Sequence, residues 1–300
     1  MLIFNTKNHY KNAQKLASRI NSNLGSIERK SFPDGEKYLR ILSNTKNEDV
    51  LVLGGTGSDE ETLELFDLCL TLSQSGAKSI KVFILYFGYS TMERSGKNGE
   101  VVRGLTRAYL LDSLPKEVEL FTLDIHSMKI NNAFKNRKVK NLSAENEVIK
   151  IINSLKIQDL VIASPDQGRS EFILGLAAQL NCESSSIKKN RISGEAVEIN
   201  GVIGKVLNKN VIIYDDMIRS GATLLKAAQR YKDEGAKSIS VIATHGIFGM
   251  DVLNKLKQSE LFQFIIVSDS SPDVDQLESS PFLSKFSIAP IVQNEIELFL

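Results

Sequence analysis

Short apolar runs alternate along this chain with windows in which apolar residues recur every three or four positions. The runs Leu2–Phe4, Val50–Leu53, Ile80–Phe87, Val118–Leu123, Leu160–Ala163, Val211–Tyr214, Ile239–Thr244 and Phe264–Val267 predict strands. The windows Tyr10–Leu24, Glu61–Ser75, Val101–Leu114, Ala144–Leu155, Arg169–Leu180 and Gly221–Glu234 predict helices. Near-continuous apolar strands separated by helices are the pattern of parallel sheets covered on both faces. The expected class is α/β with mostly parallel sheets. Phe32–Leu42 is less regular and fits a hairpin or flap.

The pattern also repeats. LSQSGAKSIKVFILYFG (Leu72–Gly88) resembles YKDEGAKSISVIATHGIFG (Tyr231–Gly249). In each, a helix closes at Gly76 or Gly235, as a left-handed cap would require, and Ala-Lys-Ser-Ile leads into a strand. Upstream, each copy has a strand, a small-residue turn and a helix: VLVLGGTGSDEETLELF and VIIYDDMIRSGATLLKA. Helix–Gly–strand units recur by chance in α/β proteins, but the shared pentapeptide favours an internal duplication. Two tandem, similar domains follow, spanning 1–145 and 146–300. The first turn carries Gly54, Gly55, Thr56 and Gly57 where the second carries Asp215 and Asp216. One site per chain is expected, on the second domain.

Ligands of open parallel sheets sit beyond the carboxyl ends of the strands, where Asp215 and Asp216 would stand. Carboxylates accept hydrogen bonds from vicinal sugar hydroxyls, and they also suit Mg2+. The amides of Ser220, Gly221, Ala222 and Thr223, at a helix N-terminus, suit an anion. Together they describe a cradle for a ribose 5-phosphate. A helix cap needs only one acid, so two adjacent acids point beyond capping.

Composition narrows the classes. The 37 basic and 36 acidic residues leave a formal charge of +1, without the basic excess of a general nucleic-acid or membrane-surface binder. Cys69 and Cys182 show no disulfide framework or metal spacing, which fits a reducing compartment. No signal peptide is recognisable at the N-terminus, and no run reaches the ~18 apolar residues of a membrane helix. A cytoplasmic location is expected.

The stretch Asp215–Thr223, Asp-Asp-Met-Ile-Arg-Ser-Gly-Ala-Thr, resembles the ribose-phosphate motif of type I phosphoribosyltransferases and of phosphoribosyl diphosphate (PRPP) synthetases. The family pattern is Asp-Asp-Met-Ile-Asp-Thr-Gly-Gly-Thr. Four further segments single out the synthetases: SFPDGEKYLRI (Ser31–Ile41), FTLDIHSMKINNAF (Phe121–Phe134), IASPDQGRSEF (Ile162–Phe172) and KKNRISGEAVEI (Lys188–Ile199). ATHGIF (Ala243–Phe248) matches a family strand end. The chain is thereby identified as resembling a ribose-phosphate diphosphokinase, built of two type I phosphoribosyltransferase-like domains. The resemblance implies an enzyme that transfers the diphosphoryl group of ATP to the anomeric hydroxyl of ribose 5-phosphate, giving PRPP and AMP. It implies that Phe32, Asp34 and Glu36 contact ATP across a subunit boundary, in a homodimer or a hexamer. His126 and Asp166 would hold Mg2+. Lys189 and Arg191 would close as a catalytic flap, and Asp215, Asp216 and 219–223 would bind ribose phosphate.

The chain departs from the family in clusters. In YSTMERSGKNGE (Tyr89–Glu100), Thr91 and Met92 replace an Arg-Gln pair that contacts ATP. Glu93 replaces an Asp, while Arg94 and Lys97 retain positive charge. Arg219 replaces an acid, Ala222 a glycine, and Gln167, Arg169 and Ser170 stand where the family is mostly small. Arginines 169 and 219 near the 5′ end of the sugar would suit an extended acceptor such as ADP-ribose, as in NAD+ salvage. A non-catalytic regulatory paralogue is a further alternative, opposed by the retained Lys189 and Arg191.

Overall fold

In a computed structural model of the chain, the described residues are 1–191 and 197–298, with the backbone alone described for 188–191 and 197–201. They form two compact units. One comprises Met1–Ser143, Ser270–Pro272 and Ile288–Leu300; the other comprises Ala144–Asp269 and Asp273–Ser287. The division expected at 145/146 thus lies beside the main crossing point, but the end of the chain returns to the first unit. Among the described residues no helix is long and apolar enough to cross a membrane.

The first unit runs β1 (Leu2–Asn5), α1 (Tyr10–Arg19), β2 (Asn23–Leu24), β3 (Ile27–Ser31), β4 (Lys37–Ile41), β5 (Asp49–Gly54), α2 (Asp59–Gln74), β6 (Ser79–Ile84), α3 (Arg103–Asp112), β7 (Val118–Leu123) and β8 (Val139–Leu142). Its sheet is ordered β2-β1-β5-β6-β7-β8, every neighbouring pair parallel, and β3 with β4 forms a separate hairpin. The second runs α4 (Glu145–Leu155), β9 (Leu160–Ala163), α5 (Ser170–Gln179), β10 (Glu183–Arg191), β11 (Val197–Ile203), β12 (Asn210–Ile218), α6 (Ala222–Asp233), β13 (Ser238–Gly246), α7 (Met250–Gln258), β14 (Ile265–Ser268), α8 (Pro272–Asp275) and β15 (Leu283–Phe286). Its sheet is ordered β11-β10-β9-β12-β13-β14-β15, parallel except for β10 with β11. The last helix, α9 (Ala289–Glu297), belongs to the first unit.

The two halves reuse the same local solutions. In α2, Leu65, Leu68, Cys69 and Leu72 form one apolar stripe; in α6, Leu224, Ala227, Ala228 and Tyr231 form its counterpart. The i, i+3, i+4, i+7 spacing turns each stripe onto the strands beside it, Val50 and Val52 in one unit and Val211, Ile213 and Val241 in the other. Both helices end at the repeated glycine, with φ of 79° at Gly76 and 83° at Gly235. The Ala77 amide donates to the Leu72 carbonyl at 3.2 Å and the Ala236 amide to the Tyr231 carbonyl at 3.0 Å, a helix-closing pattern that needs the left-handed residue.

Three helix or strand boundaries move by three residues or more. The helix expected to reach Leu24 stops at Arg19, because Asn21 takes a left-handed φ of 52° and Asn23–Leu24 pairs with β1. The strand expected to reach Phe87 ends at Ile84. The strand expected to end at Tyr214 continues to Ile218, carried past the acids by pairing with β13 (Asp215 opposite Ala243, Ile218 opposite Gly246). The hairpin or flap expected at Phe32–Leu42 is the tip and second strand of the β3–β4 hairpin, whose first strand starts earlier, at Ile27.

Candidate active site

The paired acids lie inside the overhang of β12. Strand β9 pairs with β12 only as far as Ile213, and the chain leaving β9 turns through Ser164–Arg169 into α5. That turn is tied down on several sides. The Ser164 amide donates to the Ser185 carbonyl at 3.0 Å, and the Ser164 carbonyl accepts from the buried Tyr231 hydroxyl of α6 at 2.8 Å. The Asp166 carboxylate accepts from the Gly168 amide at 3.0 Å and starts the single 3-10 turn Gln167–Arg169. Phe172 of α5 stacks on Tyr214, the residue before the acids, with ring centres 5.1 Å apart.

This scaffold brings Arg169 onto both acids. Its Nε lies 3.2 Å from Asp215 Oδ1 and its Nη2 2.6 Å from Asp216 Oδ2. The contact of Arg169 with the carboxylates was not foreseen from the sequence, which placed this arginine near the 5′ end of the sugar. Its position at the head of α5 brings it beside the β12 overhang. Asp216 is 2% exposed and Asp215 17%. Burial, with the charge of Asp216 alongside, holds the Asp215 carboxyl well above the ordinary carboxylate range, and Arg169 opposes this only in part.

Beyond β12, Arg219 and Ser220 are exposed and Gly221 takes a φ of 70° at the start of α6. A Cβ at Gly221 would come within 2.8 Å of Leu256 Cδ2, so close packing of α7 against this turn requires glycine there. Ser220 Oγ accepts from the Ala222 amide at 3.4 Å, and Ala222 and Thr223 are exposed. The exposed turn at a helix N-terminus has the polarity for an anion. Lys189 is on β10 with its backbone opposite Ile199, and Arg191 ends that strand; both side chains fall outside the described residues.

The first unit carries a closed version of the same corner. His9 precedes α1, and its Nε2 lies 3.0 Å from Glu61 Oε1, with the two side chains 1% and 4% exposed. Glu61 also accepts from the Gly57 amide at 3.2 Å. A carboxylate from α2 therefore fills the glycine turn that follows β5. Sequence reasoning missed His9 and Glu61; the available signal was that Thr6–Tyr10 occupies the same place in its half as Asp166–Ser170 does in the other.

Two other groups of expected site residues belong to the first unit. At the β3–β4 hairpin tip, Phe32, Asp34 and Glu36 are exposed together. The Phe32 amide donates to the Glu36 carbonyl at 2.9 Å, and Gly35 takes a φ of 95°. Phe32 meets Tyr38 edge-on. In the second group, Thr91, Met92 and Arg94 lie on an exposed loop anchored by the Gly104 amide to the Met92 carbonyl at 3.1 Å. Glu93, next to them, accepts from the Ser127 hydroxyl and pairs with Lys129 at 3.4 Å. The loop is thereby joined to the segment bearing the exposed His126. His126 and Asp166 belong to different units. Among the described residues, no three His, Cys, Asp or Glu side chains converge as a metal site.

Comparison with known proteins gives this geometry a family. The model of the N-terminal domain of ribose phosphate pyrophosphokinase matches residues 1–114, and that of the phosphoribosyl synthetase-associated domain matches 183–297. The ribose-phosphate pyrophosphokinase of Pyrococcus furiosus is 33% identical over 90% of this chain and 91% of its own. That of Pyrococcus abyssi is 35% identical over 79% of this chain and 82% of its own. A crystal structure of phosphoribosylpyrophosphate synthetase from Mycobacterium smegmatis superposes with a TM-score of 0.86 at 23% identity, covering 99% of this chain and 98% of that one. It establishes the fold, two type I phosphoribosyltransferase-like halves with mostly parallel sheets. These comparisons favour neither an extended acceptor nor a non-catalytic paralogue. The chain is an enzyme, a transferase, and belongs to the ribose-phosphate pyrophosphokinase family.

Proposed function

We propose that this protein transfers the diphosphoryl group of ATP to the anomeric hydroxyl of ribose 5-phosphate, producing PRPP and AMP. The observation that carries the reading is the acid pair on the β12 overhang, followed directly by an exposed turn at the head of α6. Asp215 and Asp216 supply acceptors for the ribose hydroxyls, and the amides of Ser220–Thr223, with Arg219, receive the 5-phosphate. The names of the relatives support the same substrates.

The transferred group spreads negative charge as it passes between oxygens, so position and cations supply most of the acceleration. Phe32, Asp34 and Glu36 of the hairpin and Thr91, Met92 and Arg94 of the loop after β6 contact ATP in this reading. Lys189 and Arg191 close over the phosphates and exclude water. Mg2+ would neutralise phosphate charge when bound. An ion that travels on ATP keeps much of its water and needs only one or two protein ligands. That fits the absence of a three-donor cluster among the described residues, and Asp166 and His126 are each candidates for such a ligand. The exposed Phe32 hairpin suits a neighbouring subunit's site in a homodimer or hexamer, and the enzyme would act in the cytoplasm on small molecules, without nucleic acid or membrane.

The test is product analysis with ATP, Mg2+ and ribose 5-phosphate. AMP and PRPP should form in equal amounts, and the double variant Asp215→Asn with Asp216→Asn should lose at least about a hundredfold in rate. Absence of AMP with the wild-type protein, or full activity in the double variant, would overturn the reading.

A further inference from the structure

The duplicated halves allow Arg169 to be compared with a residue in the same structural position. Each half leaves its strand through one 3-10 turn, Lys7–His9 after β1 and Gln167–Arg169 after β9. Each turn ends on a basic residue that precedes the next helix with nearly the same backbone, φ −107° and ψ 21° at His9, φ −108° and ψ 7° at Arg169. Each basic residue meets a carboxylate from the neighbouring strand–turn–helix segment, Glu61 in the first half and Asp215 with Asp216 in the second.

The difference lies in closure. His9 and Glu61 are buried, and Glu61 also holds the Gly57 amide of its turn. In the second half the turn carries no such acid, and Arg169 remains 22% exposed while its two nitrogens reach one oxygen on each aspartate. A guanidinium fork uses carboxylate lone pairs directionally. Sugar hydroxyls donating to Asp215 and Asp216 require those same lone pairs. Arg169, 22% exposed beside a 2% exposed Asp216, is the partner with access to solvent when the contact opens.

We propose that Arg169 is a displaceable counter-ion of the acid pair: its guanidinium and the ribose hydroxyls compete for the same carboxylate oxygens, so Arg169 sets the affinity for ribose phosphate. It acts as a positioning residue, through the aspartates. This inference rests on the reading of the acid pair as the ribose site. If the ion pair is closed for about nine-tenths of the time, the apparent affinity is lowered about tenfold.

The experiment measures ribose 5-phosphate binding by calorimetry, and KM and kcat by AMP formation, in the wild-type protein, Arg169→Gln and Arg169→Lys. Arg169→Gln should lower Kd and KM for ribose 5-phosphate at least threefold while kcat moves by less. Arg169→Lys, which can contact one carboxylate at a time, should fall between the two. A rise in Kd or KM in a glutamine variant that unfolds like wild type would show Arg169 holding the substrate itself, and would overturn the inference. If the glutamine variant does not fold, the lysine variant decides: a lower KM supports the competition, an equal or higher one refutes it. A wild-type protein that forms no AMP removes the proposed function, and this inference falls with it. A wild-type protein that turns over beside weaker variants removes the inference alone.

Discussion

At the scale of single residues, the buried acid pair of the candidate site costs stability. Asp215 holds its proton to higher pH in the folded protein than in an unfolded chain, because it is buried beside Asp216. Across that window the folded state binds more protons, so this group's contribution to stability is lost as pH rises through its folded pKa. Asparagine keeps the shape without the charge. Asp215→Asn should therefore unfold at higher temperature than wild type at pH 8, by on the order of 1 kcal/mol, while losing turnover; the advantage should shrink as pH falls. Calorimetric melts from pH 5 to 8 check this, and a melt lower than wild type at pH 8 refutes it. Glu61 is the opposite case. Its removal leaves His9 and the Gly57 amide without their carboxylate. Glu61→Ala, which leaves the Gly57 amide without its acceptor and the buried His9 ring without its partner, should cost about 1–3 kcal/mol, and Glu61→Gln, which can still accept from that amide, clearly less in urea titrations.

Individual secondary-structure segments show where sequence reading succeeds and where it stops. Gly-Ala-Lys-Ser-Ile marked two helix ends because left-handed backbone is chemically conspicuous. The conspicuous signal also makes a quantitative contrast. A Cβ at Gly76 would find its nearest neighbour, Lys46 Cγ, at 3.6 Å, whereas at Gly235 it would meet Leu207 Cδ1 at 2.6 Å. Gly76→Ala should cost only the left-handed backbone penalty, about 1–2 kcal/mol, and Gly235→Ala somewhat more, since Leu207 must move. Equal costs in denaturant unfolding would show that the Leu207 contact is immaterial. The stripes on α2 and α6 were equally legible, because a 3.6-residue period survives in sequence. The short strands β2, β8 and β15 were not, since Asn-Leu, Val-Lys-Asn-Leu and Leu-Ser-Lys-Phe break the apolar run that made the equally short β1, β9 and β14 legible. The acid pair was legible from its chemistry, but the partner of that pair was not. Arg169 stood out as a charge among small residues, yet only the fold brings the head of α5 to the overhang of β12.

For the whole molecule, duplication explains both the likeness of the halves and the unequal fates of their corners, one closed by His9 and Glu61, the other holding the acid pair. It does not explain the end of the chain. Helix α9 belongs to the first unit, where Ile291, Val292 and Ile296 are buried and Lys140 reaches Glu295 at 2.7 Å. Three large apolar side chains removed from water contribute about 5–9 kcal/mol, as much as the stability of a typical domain. The exposed Lys140 adds little beside them. Ending the chain after Ser287 should therefore unfold the first unit selectively, while the second, which holds its own core from Val161 to Leu283, keeps its sheet. Hydrogen exchange should show protection lost in β1, β5 and β6 and retained in β12 and β13. Protection retained in both units would mean that α9 is dispensable. Protection lost in both would mean that the second unit cannot stand without the first, contrary to its self-contained core.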